Sequence, residues 1–440
     1  MPLIQPLLDG LYPTVIRGEG VFLFDSTGKR YLDGCSGAVT AGLGHGLSEI
    51  VEAMTEQAQR VAFSYRLQFR NEPADRLAEL LEELAPGDIR WTFFVNSGSE
   101  ATETAQKMAS QYWTESGRPR KNLVLSRHLS YHGITLGALS MSGHVGRRRL
   151  FEPLLSHNAV VVPPHCYRCP LDKTYPTCDL ACANSLEHHI MRLGPNRVAA
   201  FMAEPVIGAA GGAIVPPPGY FKRIREICDR HAVLFIADEV MTAMGRTGRM
   251  FGMEHWDVEP DLVALGKGMS AGYTPLAATL MADRLVQTIR KGSGVIMSGH
   301  TYSGNPLSCA VGLAVVRYVL SHHLVERAAA AEAGMRDRLE ALQRRHPMIG
   351  DVRGLGLMWG LELVADSATR TPFPPNARMA ARLTATAQEH GLLIYPSLAG
   401  ADGRPGDAVM ITPPLTSTDA ELDLLCELLD IALETLEKEM

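Results

Sequence analysis

Short, nearly continuous apolar runs recur along the chain: Trp91 to Val95, Asn122 to Leu125, Val160 to Val162, Val198 to Met202, Leu234 to Ala237 and Leu262 to Leu265. Runs of this length and make-up are those of strands buried on both faces. Between several of them the apolar positions return at helical spacing, as in Glu100 to Trp113 and Gly219 to Asp229. The alternation predicts an α/β architecture, a mostly parallel sheet covered by helices. Ahead of it, Val21 to Phe24 and Arg30 to Asp33 flank the turn sequence Asp25-Ser26-Thr27-Gly28 and predict a small β-rich piece. From about Leu307 a long helical stretch leads into a remainder that mixes helices with the short strands Leu357 to Leu363 and Leu392 to Tyr395.

The 440 residues are too many for one small core, so two or three structural units are expected. A net charge of -6 gives no basic excess for nucleic acid or an anionic membrane. No apolar stretch approaches the ~20 residues that span a bilayer. Met1 to Gly10 lacks a basic leader region and is broken by Pro2 and Pro6, which reads as a loose arm rather than a signal peptide. Eight cysteines in such a chain read as reduced thiols of a cytoplasmic protein.

Three segments carry candidate chemistry, each directly after a strand. Asn96-Ser97-Gly98-Ser99-Glu100-Ala101 opens a helix with small residues, which would let backbone N–H groups meet a phosphate. An ordinary serine N-cap reads nearly the same way. Ala237-Asp238-Glu239-Val240 ends a strand with two acids, which could bind a metal, pair with a cationic ring nitrogen, or begin a solvated loop. Leu265-Gly266-Lys267-Gly268 places a lysine between two glycines. Such a lysine, partly desolvated, is nucleophilic toward a carbonyl, although a plain glycine-rich turn has the same letters.

Together the segments are far more specific. In order along the chain stand Ser97-Gly98-Ser99-Glu100-Ala101, Tyr131-His132-Gly133, Glu204-Pro205, Asp238-Glu239-Val240-Met241-Thr242, Gly245-Arg246-Thr247-Gly248, Lys267 and His300-Thr301-Tyr302-Ser303-Gly304-Asn305-Pro306. This series resembles the class III aminotransferases of pyridoxal-phosphate fold type I, from Asp33-Gly34 to Pro413-Pro414-Leu415. The resemblance implies a large cofactor-binding domain over 56–320 and a smaller α+β domain built from both termini, 1–55 and 321–440. It implies that Lys267 carries pyridoxal 5'-phosphate as a Schiff base and shuttles a proton. Asp238 would pair with the pyridine nitrogen, keeping the ring an electron sink. Gly98 and Ser99 would contact the phosphate, Tyr131 would stack on the ring with Val240 against its other face, and Ser97, His132, Gly133, Glu204 and Met241 would complete the cofactor site. Thr301 resembles the threonine that reaches the phosphate from a neighbouring subunit, which implies a homodimer. Amines and keto acids would be the substrates; racemase, epimerase and decarboxylating relatives share the same lysine and aspartate and form the alternative.

Two departures bear on substrate. Where relatives acting on ornithine or 4-aminobutyrate carry an arginine before Pro413-Pro414, this chain has Met410; where they often carry a second glutamate, it has Ala209. Losing both leaves no lone charge stranded in the pocket. The ω-amino acid:pyruvate type looks similar at both positions and can use a mobile loop arginine for carboxylates. Arg404, between glycines, is the candidate here, with Arg66 and Arg70 as alternatives. Phe63, Tyr65 and Trp359 are candidate walls of the substrate channel. A further departure is the insert Cys166-x2-Cys169-x8-Cys178-x3-Cys182, whose thiols could hold a metal, pack a loop or form a redox-labile pair.

Overall fold

The computed structural model describes residues 3–8, 10–156, 160–398, 400 and 406–440. Three strands open it: β1 (Val15–Glu19), β2 (Phe22–Asp25) and β3 (Arg30–Asp33), paired antiparallel in that order. Seven more form the central sheet: β4 (Ile89–Val95), β5 (Leu123–Arg127), β6 (Val160–Val161), β7 (Val198–Ala203), β8 (Leu234–Asp238), β9 (Leu262–Leu265) and β10 (Ala277–Ala282). Their spatial order is β4-β10-β9-β8-β7-β5-β6. All pairs among β6, β5, β7, β8 and β9 are parallel, and β10 alone runs against its neighbours β9 and β4. The sheet is therefore mostly parallel, as the apolar pattern predicts. The sequence reading missed β10, because Ala-Ala-Thr-Leu-Met-Ala carries no β-branched signature beyond one threonine.

Residues of β7, β8, β9 and β10 are buried throughout, which is why their sequences do not alternate. The helix Gly98–Glu115 packs across this sheet through Ala101, Ala105 and Ala109, whose small side chains let backbone and sheet approach closely. The remaining strands are β11 (Ile349–Leu355), β12 (Met358–Asp366), β13 (Thr371–Pro372), β14 (Leu392–Leu393), β15 (Tyr395–Leu398) and β16 (Asp407–Ile411). A second sheet runs β11-β12-β16-β15 with β13 on β12. β14 pairs in parallel with β3, so a strand near each end of the chain shares one sheet.

A buried arginine ties these parts together. Arg246 donates to the carbonyls of Leu357 (3.0 Å) and Pro413 (2.5 Å) and to Ser36 Oγ (3.3 Å). Among the described residues no single helix is long and apolar enough to cross a membrane. Because β4, β5, β7, β8 and β9 all point the same way, the segments after them emerge at one edge of the sheet. That edge is the carboxyl end, where open α/β sheets hold ligands.

Candidate active site

At that edge lies a cavity of about 190 Å³ lined by Ser97, Gly98, Ser99, Tyr131, His132, Gly133, Glu204, Ala209, Asp238, Val240, Met241 and Lys267. Every residue expected from sequence to hold the cofactor, Thr301 excepted, is thus brought there by five strand ends. One wall is the start of the Gly98–Glu115 helix. Ser97 caps it, its hydroxyl accepting from the Glu100 N–H at 3.2 Å, while Glu100 accepts from the Asn96 N–H at 2.7 Å. The capping and anion-binding readings are compatible, since the cap still leaves first-turn N–H groups without helical partners. The backbone here is close-packed. A Cβ on Gly98 would sit 2.9 Å from Val240 Cγ1, and one on Gly133, at φ +131°, only 2.4 Å from Ser99 Oγ.

Lys267 follows β9 with φ +42°, a left-handed conformation unusual for a side chain with a Cβ. Its flanking glycines give it room: a Cβ on Gly266 would meet Val240, Ala277 and Gly98 at 3.3 to 3.7 Å. Burial lowers the Lys267 amine from its usual range to about 8; Asp238 and Glu204 oppose this, and the positive charges of Arg147 and Arg246 add to it. At pH 7 about a tenth of such an amine is neutral, far more than for an ordinary lysine, which suits a nucleophile and base.

Asp238 ends β8, nearly fully buried, with His132 Nδ1 2.7 Å from its Oδ2 and the Val240 N–H donating to its Oδ1 at 3.1 Å. These contacts fix the acid's orientation. Glu239, the next residue, points elsewhere: Thr242 Oγ1 and the N–H groups of Gly252 and Met253 all donate to it. The metal option for this acid pair therefore fails, because Glu239 spends its oxygens inside the fold. Glu204, after β7, is also buried, which raises its carboxyl to about 7 although His132 and Arg127 pull it down. Arg127 is fully buried; its Nη2 donates to the Glu204 carbonyl at 2.6 Å and lies 3.8 Å from Oε2. Sequence reading missed Arg127, which ends a strand and looks like any surface cation.

The cavity fits pyridoxal phosphate by the chemistry of its donors. Close-packed backbone at a helix N-terminus suits a phosphate, an oriented buried acid suits a cationic ring nitrogen, and Tyr131 and Val240 supply flat and apolar walls. His132 Nε2 and Glu204 Oε2 are buried with no hydrogen-bond partner in the protein. The family profile for class III aminotransferases matches residues 9–433. The chain belongs to the class III aminotransferases.

This aminotransferase is 48% identical to an uncharacterized aminotransferase, YodT, of Bacillus subtilis, over 100% of this chain and 98% of that one. It is 38% identical to the adenosylmethionine-8-amino-7-oxononanoate aminotransferase of Geobacter sulfurreducens over 96% and 92%. Among solved structures it is similar to an (S)-enantioselective omega-transaminase from Thermomicrobium roseum, with a TM-score of 0.91, 37% identity and coverage of 99% and 95%. An amine transaminase from an uncultivated Pseudomonas species, solved in its PLP-bound form, has a TM-score of 0.92 at 37% identity, over 99% and 98%. The fold is that of the pyridoxal-phosphate enzymes of fold type I, and pyridoxal 5'-phosphate is the aminotransferase's cofactor.

The structure corrects one expected wall of the substrate channel. Trp359 is fully buried inside β12, its indole N–H donating to the Gly356 carbonyl at 2.8 Å, so it is a core residue. Phe63 and Tyr65 are exposed and do not line their own chain's cavity; Phe63 stacks edge-on against Tyr302. Thr301 is likewise exposed. Arg66 donates to the Ser298 carbonyl and Arg70 pairs with Asp75. Met410 is buried against Val39, Val206, Ala213 and Met358, while Ala209 does face the cavity. Arg404 lies outside the described residues. In the cysteine insert all four thiols are unpaired, and among the described residues no three His, Cys, Asp or Glu side chains are placed to hold a metal. A larger, open groove of about 1000 Å³ runs along this insert, but the lysine and its buried acids all sit in the smaller cavity.

Proposed function

We propose that this aminotransferase takes amines and ω-amino acids as donors and passes the amino group to a keto acid such as pyruvate or 2-oxoglutarate. The observation that carries the reading is the neutral cavity wall at Ala209, next to an intact Lys267–Asp238–His132 arrangement. Without a glutamate at 209 the wall accepts an uncharged side of a donor without stranding a charge. Arg404 remains a candidate second contact for carboxylates.

When bound, pyridoxal phosphate supplies the electron sink that lets a proton leave the amine-bearing carbon. Lys267 Nζ, part neutral at pH 7 because of its burial, takes that proton and returns it one step later. Asp238, held by His132 and the Val240 N–H, is oriented to keep a ring nitrogen protonated. Glu204, held by Arg127 and the Gly208 N–H, lines the same cavity and would stand near the ring. Gly98 and Ser99, with Ser97 and Gly133 beside them in the cavity wall, would hold the phosphate.

We read the assembly as a homodimer with shared sites. Leu67, Phe69, Met297 and Tyr302 are exposed apolar side chains, and their loops are joined by Arg66 to Ser298 and by Asn305 donating to the Ala62 carbonyl at 3.0 Å. Thr301 and Tyr65 stand on this same face, so a second copy covering it would receive them. Eight unpaired cysteines suit a reducing compartment, and the cytoplasm is our expectation.

The test is the absorbance of the holoenzyme mixed with single donors, without acceptor: β-alanine, 4-aminobutyrate, L- and D-alanine and 1-phenylethylamine. Bleaching of the lysine-bound cofactor band, reversed by pyruvate or 2-oxoglutarate, identifies the donor class. An unbleached band with loss of a donor's optical purity would make the enzyme a racemase and overturn the proposal.

A further inference from the structure

Three arginines lie close after His144 in one short turn, and they do different things. Arg148 is spent on the fold: its Nη1 donates to the carbonyls of Leu139, Ser140 and Ser142 at 2.9, 3.1 and 2.9 Å, and Nη2 meets Glu152 at 3.1 Å. Arg149 is exposed. Arg147 turns toward the cavity rim. Its guanidinium carbon lies 4.2 Å from the centre of the Tyr131 ring, and its Nη2 donates to Tyr395 Oη at 3.1 Å. Tyr131 is a cavity wall. Tyr395 stands on β15 two residues before Ser397, whose hydroxyl donates to the carbonyl of Ala209, another cavity wall, at 2.7 Å. Arg147 thus links Tyr131, a wall of the cavity, to Tyr395 on β15, just behind that wall.

The cation there is unusually free. It is half-buried, and among the described residues no acid pairs with it. A guanidinium has five N–H donors in a planar fork, and the Tyr395 hydroxyl takes one. The Tyr131 face holds the plane in place without using the others. The cavity wall at Ala209 carries no acid, and the Arg147 fork keeps donors beyond the one given to Tyr395. Its charge is also felt at Lys267, where it disfavours the ammonium form.

We infer that Arg147 is the specificity-determining residue that receives a substrate carboxylate, so that donors and acceptors with a carboxylate beyond the reacting carbon are selected over plain amines. The inference rests on the donor class proposed above and deepens it. A planar fork matches a carboxylate in two parallel hydrogen bonds, which Tyr395 and Tyr131 pre-orient. Because the anchor is fixed, the distance from carboxylate to amine becomes the selected quantity.

The test compares holoenzyme variants Arg147→Gln, Arg147→Lys and Arg404→Gln in half-reactions with β-alanine, 4-aminobutyrate and 1-phenylethylamine. Arg147→Gln should lose roughly 100-fold in kcat/KM for the two carboxylates relative to whatever change it makes on 1-phenylethylamine, mostly through KM. Arg147→Lys should lose about 10-fold on the carboxylates, again relative to 1-phenylethylamine, since it keeps charge but not the fork. It also decides the matter if the glutamine variant does not fold. Equal losses on all three donors, or none, would overturn the inference, as would carboxylate selectivity that moves with Arg404→Gln and not with Arg147. Calorimetric binding of butyrate, an unreactive carboxylate, separates this from the donor proposal. Butyrate binding to wild type and at least about 10-fold weaker binding to Arg147→Gln supports the anchor whichever amines turn over, and equal binding overturns it.

Discussion

At the scale of single residues, the site depends on side chains held in states that water would not allow. Lys267, lowered to about 8, is the clearest. Lys267→Ala should fold, lose the lysine-bound cofactor band and lose multiple turnover; normal turnover would remove its assignment. Asp238→Asn should keep the band yet fall by about 100-fold or more in single-turnover rate, because the ring nitrogen loses its fixed anion. Glu204 gives a pH signature. Its folded carboxyl keeps a proton up to about 7, whereas an ordinary glutamate releases it near 4.5. The stability this gives is therefore complete below about 4.5 and is lost as pH rises through 7. Denaturant unfolding of the cofactor-free protein should show Glu204→Gln losing roughly 1–3 kcal/mol less than wild type between pH 5 and pH 8. Lys267 and Asp238 were legible in the sequence because small residues and strand ends mark them. Arg147 was not, since it sits in a run of three arginines that reads as a solvated face. Trp359 misled for the opposite reason: it lies in a stretch of β12 that is buried on both faces, where an aromatic is core.

At the scale of elements, the expected phosphate site is a matter of what is missing. The β4-to-helix turn and the segment after β5 leave no room for a side chain at Gly98, which faces Val240, or at Gly133, which faces Ser99, and Ser99 Oγ accepts from the Ile134 N–H at 2.9 Å. Gly133→Ala puts a Cβ against Ser99 in a backbone region that alanine avoids. It should weaken cofactor binding about 10- to 100-fold in a titration of the cofactor-free protein, and cost about 1–3 kcal/mol of stability. Most strands were legible, β3 and β9 to the residue; for β7, β8 and β9 the reason is that fully buried parallel strands have runs of one character. β10 was hidden because alanines fill it, and alanine is as much at home in helices.

At the scale of the whole molecule, the described chain leaves one apolar face uncovered and Thr301 upon it. If that face is the subunit contact, Lys267→Ala subunits re-paired with Thr301→Arg subunits should recover about a quarter of wild-type activity, as half the dimers are mixed and each has one intact site. Each variant alone should be nearly inactive, and no recovery on mixing would place Thr301 outside any shared site. The helical stretch from about Leu307 points to a second unit in the sequence itself, and the bounds 56–320 and 321–440 stay an expectation from the resemblance. The parallel pairing of β3 with β14 joins residues near opposite ends of the chain, and no local pattern reveals such a partner.

The reversed strand β10 has a consequence in time rather than in space. β4, which leads into the turn at Gly98, pairs among the described residues with β10 alone. During synthesis β4 therefore leaves the ribosome long before its one neighbour exists, and so does the turn it must aim. β5, β7, β8 and β9 can pair as they emerge, and β4 joins last, by insertion at an edge that β10 completes. Cofactor capture by a nascent chain should then switch on abruptly once Ala282 has cleared the exit tunnel, not build up strand by strand.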